Sequence, residues 1–414
     1  MSRSTERPSP LHLEPGAGDI PGGDQAASEV VTLLSDLIAI PSENPPGDTT
    51  AIAAYIEQWF LGVEGAEVRA VAPPQKPEAP SVIATIGSGE HPVVMLHAHI
   101  DTVPVGESEA VAWSSDPFRA VVRDGKLFGK GAVDDKGILA AMMCATRDAA
   151  RMTGRRGTVV LVAAAEEEVG GQLGTRWLAE NGHLPESDYV IVGEQTDNAA
   201  ATAHKGVMRA TVTVRGRSSH ATNPDRGVSA INGMARVLLA LEAYHRELSE
   251  RPHPLVGAPT CNVGTIVGGS TTNSVPDHCM ITIDRRMVPR EDFEAVRDEL
   301  RAVVAAVDVA PATAEVGDFL TSSWFESDLE TGLGPTFSKA IEASSGGPVR
   351  AVGYLPGSDA KHLFGVAQHG MVVFGPGSYE MAHAADEYVG IADLEASRWI
   401  LTRFLELSLT GVEA

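Results

Sequence analysis

The side chains in this sequence best suited to chemistry are imidazoles and carboxylates, and they gather in five places. These are His97, His99 and Asp101; Asp134-Asp135; Glu166-Glu167-Glu168; Glu194; and His383 in the run Ala382 to Glu387. In Val93 to Asp101, four apolar residues read as a buried strand, and polar residues then take every second position. Alternate side chains of an extended chain share one face. Two imidazoles and a carboxylate would therefore line one side of a strand end, as a metal cradle or as histidines satisfied by backbone. The other clusters also have plain alternatives. Asp134-Asp135 before Lys136-Gly137 can cap a helix, a glutamate run can be a solvated face, and a single histidine can be structural. Together they point elsewhere. Imidazoles and carboxylates without thiolates suit a hydrolytic zinc, manganese or cobalt site. Two ions ~3.5–4 Å apart share a bridging carboxylate and leave a position for water, and five sites are on offer. Three glutamates straight after a buried strand fit poorly with a solvated face. One can ligate a metal while its neighbour moves protons.

Each cluster needs an element to position it. Val30 to Ile38 recurs at helical spacing and stops at Pro41; the loop Pro41 to Gly47 follows, and Thr49 can cap a second helix through about Phe60. Ser81 to Ile86 and Val93 to Leu96 read as strands, and Gly125 to Gly131 as a glycine-punctuated turn. A helix is expected from about Lys136 to Met152. Thr158 to Ala165 is a continuous apolar run of the kind a buried parallel strand shows. Gly170-Gly171 turns into a helix near Thr175 to Asn181, and Tyr189 to Val192 is the next strand, ending at Glu194. Strands ending in acidic or imidazole residues, with helices between them, predict an α/β fold whose ligands gather beyond the carboxyl ends of the strands. The middle third changes character: Val207 to Val214 and Met280 to Met287 alternate like half-exposed strands, with helical stretches near Gly227 to Tyr244 and Glu291 to Val304. The expected plan is a loose tail over 1–25, a discontinuous metal-binding domain over 26–205 and 317–414, and a smaller α+β domain over 206–316. The last third ends in an amphipathic helix at about Ile391 to Leu409.

Composition narrows the function classes. The 414 residues carry 32 basic and 55 acidic side chains, a net charge of -23. That charge disfavours nucleic acid and anionic membrane as partners, because phosphates need a basic face. Cys144, Cys261 and Cys279 are odd in number and widely spaced, so free buried thiols in a reducing compartment are expected. Neither the proline-rich tail nor any other stretch has the apolar run of a signal or a membrane span. A cytoplasmic protein is the expectation.

The motifs, in order, are Leu96 to Pro104 (Leu-His-Ala-His-Ile-Asp-Thr-Val-Pro), Trp113 to Phe118, Gly129 to Gly137 around Asp134-Asp135, Glu166 to Gly170, and Val192-Gly193-Glu194. Gly216 to Pro224 around His220, Gly268-Gly269 with Asn273-Ser274-Val275-Pro276, Asp284 to Pro289, and Ala382-His383 complete the series. In this order and spacing, from about Ala27 to Leu409, the chain resembles the M20 metallopeptidases and amidohydrolases, which include acetylornithine deacetylase, succinyl-diaminopimelate desuccinylase, aminoacylase, glutamate carboxypeptidase and carnosinase-type dipeptidases. The resemblance implies a zinc-peptidase-like mixed sheet flanked by helices, with the smaller domain inserted as a lid and dimerisation domain. It implies two divalent metal ions, zinc first, with cobalt or manganese as alternatives.

The same resemblance assigns roles. His99 and Glu194 would bind one metal, Glu168 and His383 the other, and Asp134 would bridge them through a cis Asp134–Asp135 peptide. Asp101 would orient His99, and His97 would only line the neighbourhood. Spacing to Gly170 selects Glu167 as general base and later acid toward the leaving amine, leaving Glu166 where relatives often carry Asp. Arg286 would grip a substrate carboxylate with its planar fork; its alternative is a surface strand arginine. His220 and Asn273 would stabilise the oxyanion, His220 from a partner subunit in a homodimer or after domain closure. Gly357 and Ser358 would contact substrate. Lys130 departs from a more usual Arg, and Gln195 from a Pro that often follows the ligand glutamate. Three functions then compete. The first is an N-acyl-amino-acid deacylase of the deacetylase or desuccinylase type. The second is a dipeptidase or carboxypeptidase acting on a short peptide with the same chemistry. The third is a catalytically silent, metal-stabilised binding protein.

Overall fold

The computed structural model describes residues 28–411. The tail expected over residues 1–25 lies outside them. Nine strands form one mixed sheet. Its path runs Ala66–Val71, Ser81–Ile86, Thr158–Ala164, Val93–His99, Tyr189–Gly193, Met371–Phe374, Ala201–His204, Phe325–Glu326, and Val352–Tyr354 joins beside Ala201–His204. The central strands Thr158–Ala164, Val93–His99, Tyr189–Gly193 and Met371–Phe374 lie parallel. They are buried along their whole length and largely apolar, because helices and loops cover both faces. One face packs on the helices Glu29–Ile38, Thr50–Leu61, Lys136–Ala150, Gly334–Ser345 and Ile391–Thr410. The other packs on the short helix Thr175–Glu180 and the turn Asp359–His362.

Parallel strands put their carboxyl ends on one edge. His99 closes Val93–His99, Glu166 to Glu168 follow Thr158–Ala164, and Glu194 follows Tyr189–Gly193. The mixed α/β fold expected from the sequence is the fold observed.

A second, four-stranded antiparallel sheet has the order Thr260–Gly268, His278–Met287, Gly206–Arg215, Thr313–Ser322. Helices Ala230–Leu248 and Phe293–Ala305 cover one face over a separate apolar core. Ser229 and Asp292 cap them by accepting from Asn232 N and Ala295 N. The fourth strand continues past Val316 to Ser322, so the chain crosses back to the large sheet at Ser323-Trp324. Among the described residues no helix is long and apolar enough to cross a membrane. The three cysteines are free and buried.

Two expected helix caps come out differently. The helix after Thr49 forms, but the Thr49 hydroxyl donates to Pro80 O and Asp48 accepts from Thr50 N instead. Asp135 precedes the helix Lys136–Ala150, yet its carboxylate accepts from His99 N at 3.1 Å rather than capping that helix.

Candidate metal centre and active site

The turn after Thr158–Ala164 is where the site is built. Glu166 takes a left-handed φ of 72° and swings the chain into the short turn Glu167–Val169, with Gly170 and Gly171 also at positive φ. A side chain in that region costs ~1 kcal/mol, and two contacts offset it: Glu166 Oε1 accepts from Lys76 Nζ at 2.5 Å and from Asn44 Nδ2 at 3.0 Å. Asn44 also donates to Asp101 Oδ2 at 2.9 Å. Asp101 in turn accepts the main-chain N–H groups of Glu167 and Glu168, at 3.1 and 3.2 Å. The loop Pro41 to Gly47 therefore sets the position of the glutamate turn through one amide side chain.

His99 faces this turn from the neighbouring strand. Its Nδ1 donates to the main-chain oxygen of Asp101 at 2.9 Å, while the Asp101 carboxylate stands 3.7 Å away. The orientation expected from the Asp101 side chain comes instead from its backbone, and the carboxylate is spent on the glutamate turn. With Nδ1 engaged, Nε2 points at Asp134 Oδ1, 3.0 Å away. Asp134 Oδ2 lies 3.1 Å from His383 Nε2, which is 3.3 Å from Glu168 Oε2. The Asp134–Asp135 peptide is cis. Glu387 accepts the Val133 and Asp134 main-chain N–H groups at 3.0 and 3.1 Å and so fixes the Asp134 backbone from behind.

These spacings fit metal ions. Two donors on one tetrahedral ion, with bonds of ~2.0–2.1 Å, stand about 3.3 Å apart. Among the described residues, His99, Asp134 and Glu168 form the tight group of donors, with ligand atoms within 4.8 Å of one another. His383 adjoins that group through Asp134 and Glu168. Glu194 lies at its edge, with Oε2 accepting from Tyr354 Oη at 2.8 Å and from Gln195 Nε2 at 3.2 Å.

The electrostatics agree. Burial, then Asp135, Glu167 and Asp134 nearby, hold the Glu194 carboxyl well above the usual range. Burial and Asp134 push Glu168 up to about 7. Burial opposes charge on His99, yet its hydrogen bond to Asp134 and the charges of Asp135, Asp134 and Asp101 outweigh it and raise the ring well above its ordinary value. Hydrogen bonds to Asp134 and Glu168 raise His383 to about 10. Asp134 goes the other way: against burial, its contacts to His383 and His99 hold its carboxyl well below the usual range. A buried cluster in which Glu168 and Glu194 resist ionisation while both imidazoles hold protons beside Asp134 is short of positive charge, which divalent cations supply.

Of the other expected residues, Glu167 sits beside the cluster and the rest lie away from its donors. Glu167 Oε1 accepts from Lys361 Nζ at 3.1 Å, and Oε2 has no partner among the described residues. His220 and Asn273 come together in loops of the small sheet, where Ala221 N donates to Asn273 O at 3.0 Å. There His220 Nδ1 contacts Thr222 Oγ1 at 2.9 Å and Asn273 Oδ1 accepts from Thr271 Oγ1 at 2.6 Å, so neither meets the metal cluster. Arg286 is on the small sheet's open face, its Nε donating to Asp284 Oδ1 at 2.7 Å. Ser358 is buried, accepting from Ala360 N, and an added Cβ at Gly357 would meet open space. Asn44, Glu387, Tyr354 and Lys361 were not anticipated. Lys361 carried a signal, three residues beyond the expected substrate contact Ser358, and Glu387 closes the run that holds His383; Asn44 and Tyr354 are single residues that only folding brings to the site.

Residues 95–407 match the model of peptidase family M20/M25/M40. The chain belongs to that family. It is 29% identical over 389 residues to acetylornithine deacetylase of Proteus mirabilis, covering 91% of this chain and 96% of that protein. It is 26% identical over 387 residues to a probable succinyl-diaminopimelate desuccinylase of Staphylococcus epidermidis, covering 87% and 92%. Among solved structures it is similar to the YXEP protein of Bacillus subtilis, described as a dinuclear metal binding peptidase from the M20 family. That similarity has a TM-score of 0.67 at 19% identity and covers 92% of this chain and 97% of that one. As a member of the M20/M25/M40 peptidases the protein is a hydrolase.

Proposed function

We propose that this hydrolase uses two divalent metal ions, zinc first, to cleave the amide bond of a small N-acyl amino acid. One observation carries the reading: the two oxygens of Asp134 face different imidazoles, His99 at 3.0 Å and His383 at 3.1 Å, as a bridging carboxylate must. His99, Asp134 and Glu194 would hold one ion; His383, Asp134 and Glu168 the other. Bound there, the ions would polarise the scissile carbonyl and acidify the attacking water. Glu167, outside the ligand set and with Oε2 open, takes the water's proton and delivers it to the departing amine. Asp101 and Asn44 keep the Glu167-Glu168 turn in register, and Glu387 keeps Asp134 in place. Arg286, half exposed and braced by Asp284, grips the carboxylate of the amino-acid portion. His220 and Asn273 add hydrogen-bond donors to the oxyanion, brought in by closure of the 206–322 unit or by a second copy of the chain in a homodimer. A cytoplasmic location suits the three free cysteines.

The deacetylase and desuccinylase among the similar proteins favour the acyl-amino-acid substrate over a dipeptide. The deciding experiment is a panel of N-acetyl- and N-succinyl-amino acids against dipeptides, run on chelated protein and again after zinc, cobalt or manganese is restored. Metal-dependent turnover of the acyl substrates, with dipeptides slower, is expected. Faster dipeptide turnover transfers the function to a dipeptidase, and metal-independent or absent turnover overturns the hydrolytic site.

A further inference from the structure

Glu167 and Glu168 are neighbours in one turn beside the metal donors, yet only one of them can act as a base rather than a ligand. What separates them is the partner of Glu167. Lys361 Nζ donates to Glu167 Oε1 at 3.1 Å and stands 3.9 Å from Asp359 Oδ1, with its side chain only 5% exposed. A lysine this buried requires paired charge, and both partners are carboxylates.

Asp359 is itself anchored. Thr175 Oγ1 donates to Asp359 Oδ2 at 2.5 Å. The hydroxyl has one proton, so Thr175 Oγ1 accepts from His97 Nε2, 2.7 Å away. His97 Nδ1 then has no proton, and it has no partner among the described residues. Gly171 makes room for this chain, since a Cβ there would collide with Asp359 Oδ1. His362 Nε2 lies 2.9 Å from Gly170 O and ties the same turn to the glutamate loop.

We infer that Lys361, fixed through Asp359, Thr175 and His97, is a positioning residue that holds Glu167 Oε1 away from the metal donors and leaves Oε2 as the proton acceptor. The inference rests on the reading of Glu167 as general base. It gives His97, the first polar residue of the opening strand, a task two positions from the ligand His99. Lys361 touches neither the metal donors nor the bond to be cleaved; it acts through the glutamate.

The test uses the full chain with both metals restored, and compares Glu167→Gln, Lys361→Met, Lys361→Arg, Thr175→Val and the double variant Glu167→Gln/Lys361→Met. Lys361→Met is expected to lower kcat roughly 10- to 100-fold with KM and metal content per chain unchanged. Lys361→Arg, which keeps the charge, is expected to restore most of kcat. Thr175→Val keeps the lysine, and is expected to lower kcat by a smaller factor at unchanged KM. Adding Lys361→Met to Glu167→Gln is expected to cost nothing further. Additive losses in the double variant, a rise in KM at unchanged kcat, or loss of metal from Lys361→Met each overturn the positioning role. Glu167→Gln alone tests the base assignment: if it keeps kcat, that assignment falls, whatever Lys361 does.

Discussion

At the scale of single residues the site divides labour by burial and by partner. Asp134 has both oxygens directed at imidazoles, so Asp134→Asn is expected to abolish binding of two ions and lower turnover beyond detection, read as metal content after dialysis. Glu167 has no such partners, so Glu167→Ala is expected to keep its metal while losing at least ~100-fold in kcat. Loss of metal in that variant would move Glu167 into the ligand set and sink the base assignment. Arg286 is distant from the metal cluster in its contacts, and its expected effect differs: Arg286→Ala raises KM for carboxylated substrates, with kcat changed far less. An unchanged KM would leave Arg286 as a strand arginine balanced by Asp284.

At the scale of elements the geometry depends on turns that tolerate no extra atoms. An added Cβ at Gly174 would collide with Ala165 O, at the point where the strand Thr158–Ala164 hands over to the glutamate turn. Gly174→Ala is therefore expected to shift Glu167 and Glu168 together, lowering both melting temperature and turnover. Full activity in a folded Gly174→Ala protein would show that the turn is slack. Asn44 joins two elements by a different means, donating to Asp101 and Glu166 at once. Some elements were hidden in the sequence for physical reasons. The edge strand Thr260–Gly268 is largely exposed, so no buried apolar run marks it. The hairpin Val121–Arg123/Lys126–Phe128 turns at Asp124-Gly125, both at positive φ. That Asp-Gly pair is a hairpin signal within what reads from the sequence as a glycine-rich turn.

At the scale of the molecule, two sheets with separate cores meet at Lys205-Gly206 and Ser323-Trp324, and His204 is buried just before the first crossing. Burial lowers His204 to about 3 from the ordinary 6.5. Between those values the unfolded chain binds a proton that the folded chain refuses, so stability falls as pH falls. For this group alone, going from pH 7.5 to 5 costs about 2 kcal/mol. Urea unfolding of the metal-free protein at both pH values is expected to show that loss reduced by about this amount in His204→Phe. An equal loss in both proteins would place the acid sensitivity elsewhere. The proposed dimer is read at the same scale by sedimentation, and a strictly monomeric, fully active enzyme would leave domain closure as the route for His220.

The sequence alone determined which residues could bind metal and roughly where the strands end. Its long buried strands are continuous apolar runs, and their polar ends stand out against them. The clusters around His99, Glu168 and Glu194 were legible in this way, and the resemblance to the M20 family singled out those residues with Asp134 and His383; His99, Asp134, Glu168 and His383 meet in the structure, and Glu194 stands at their edge. Tertiary structure alone decided how those residues are held. It replaced the Asp101 side chain by its main chain as the partner of His99, and it turned His97 from a bystander into the end of a chain leading to Lys361. It also brought Asn44, Glu387 and Tyr354 to the site from distant segments. Such contacts join residues as much as 254 positions apart, as between Val133 and Glu387. They follow from how the sheet and its loops close, which no local pattern of residue types encodes.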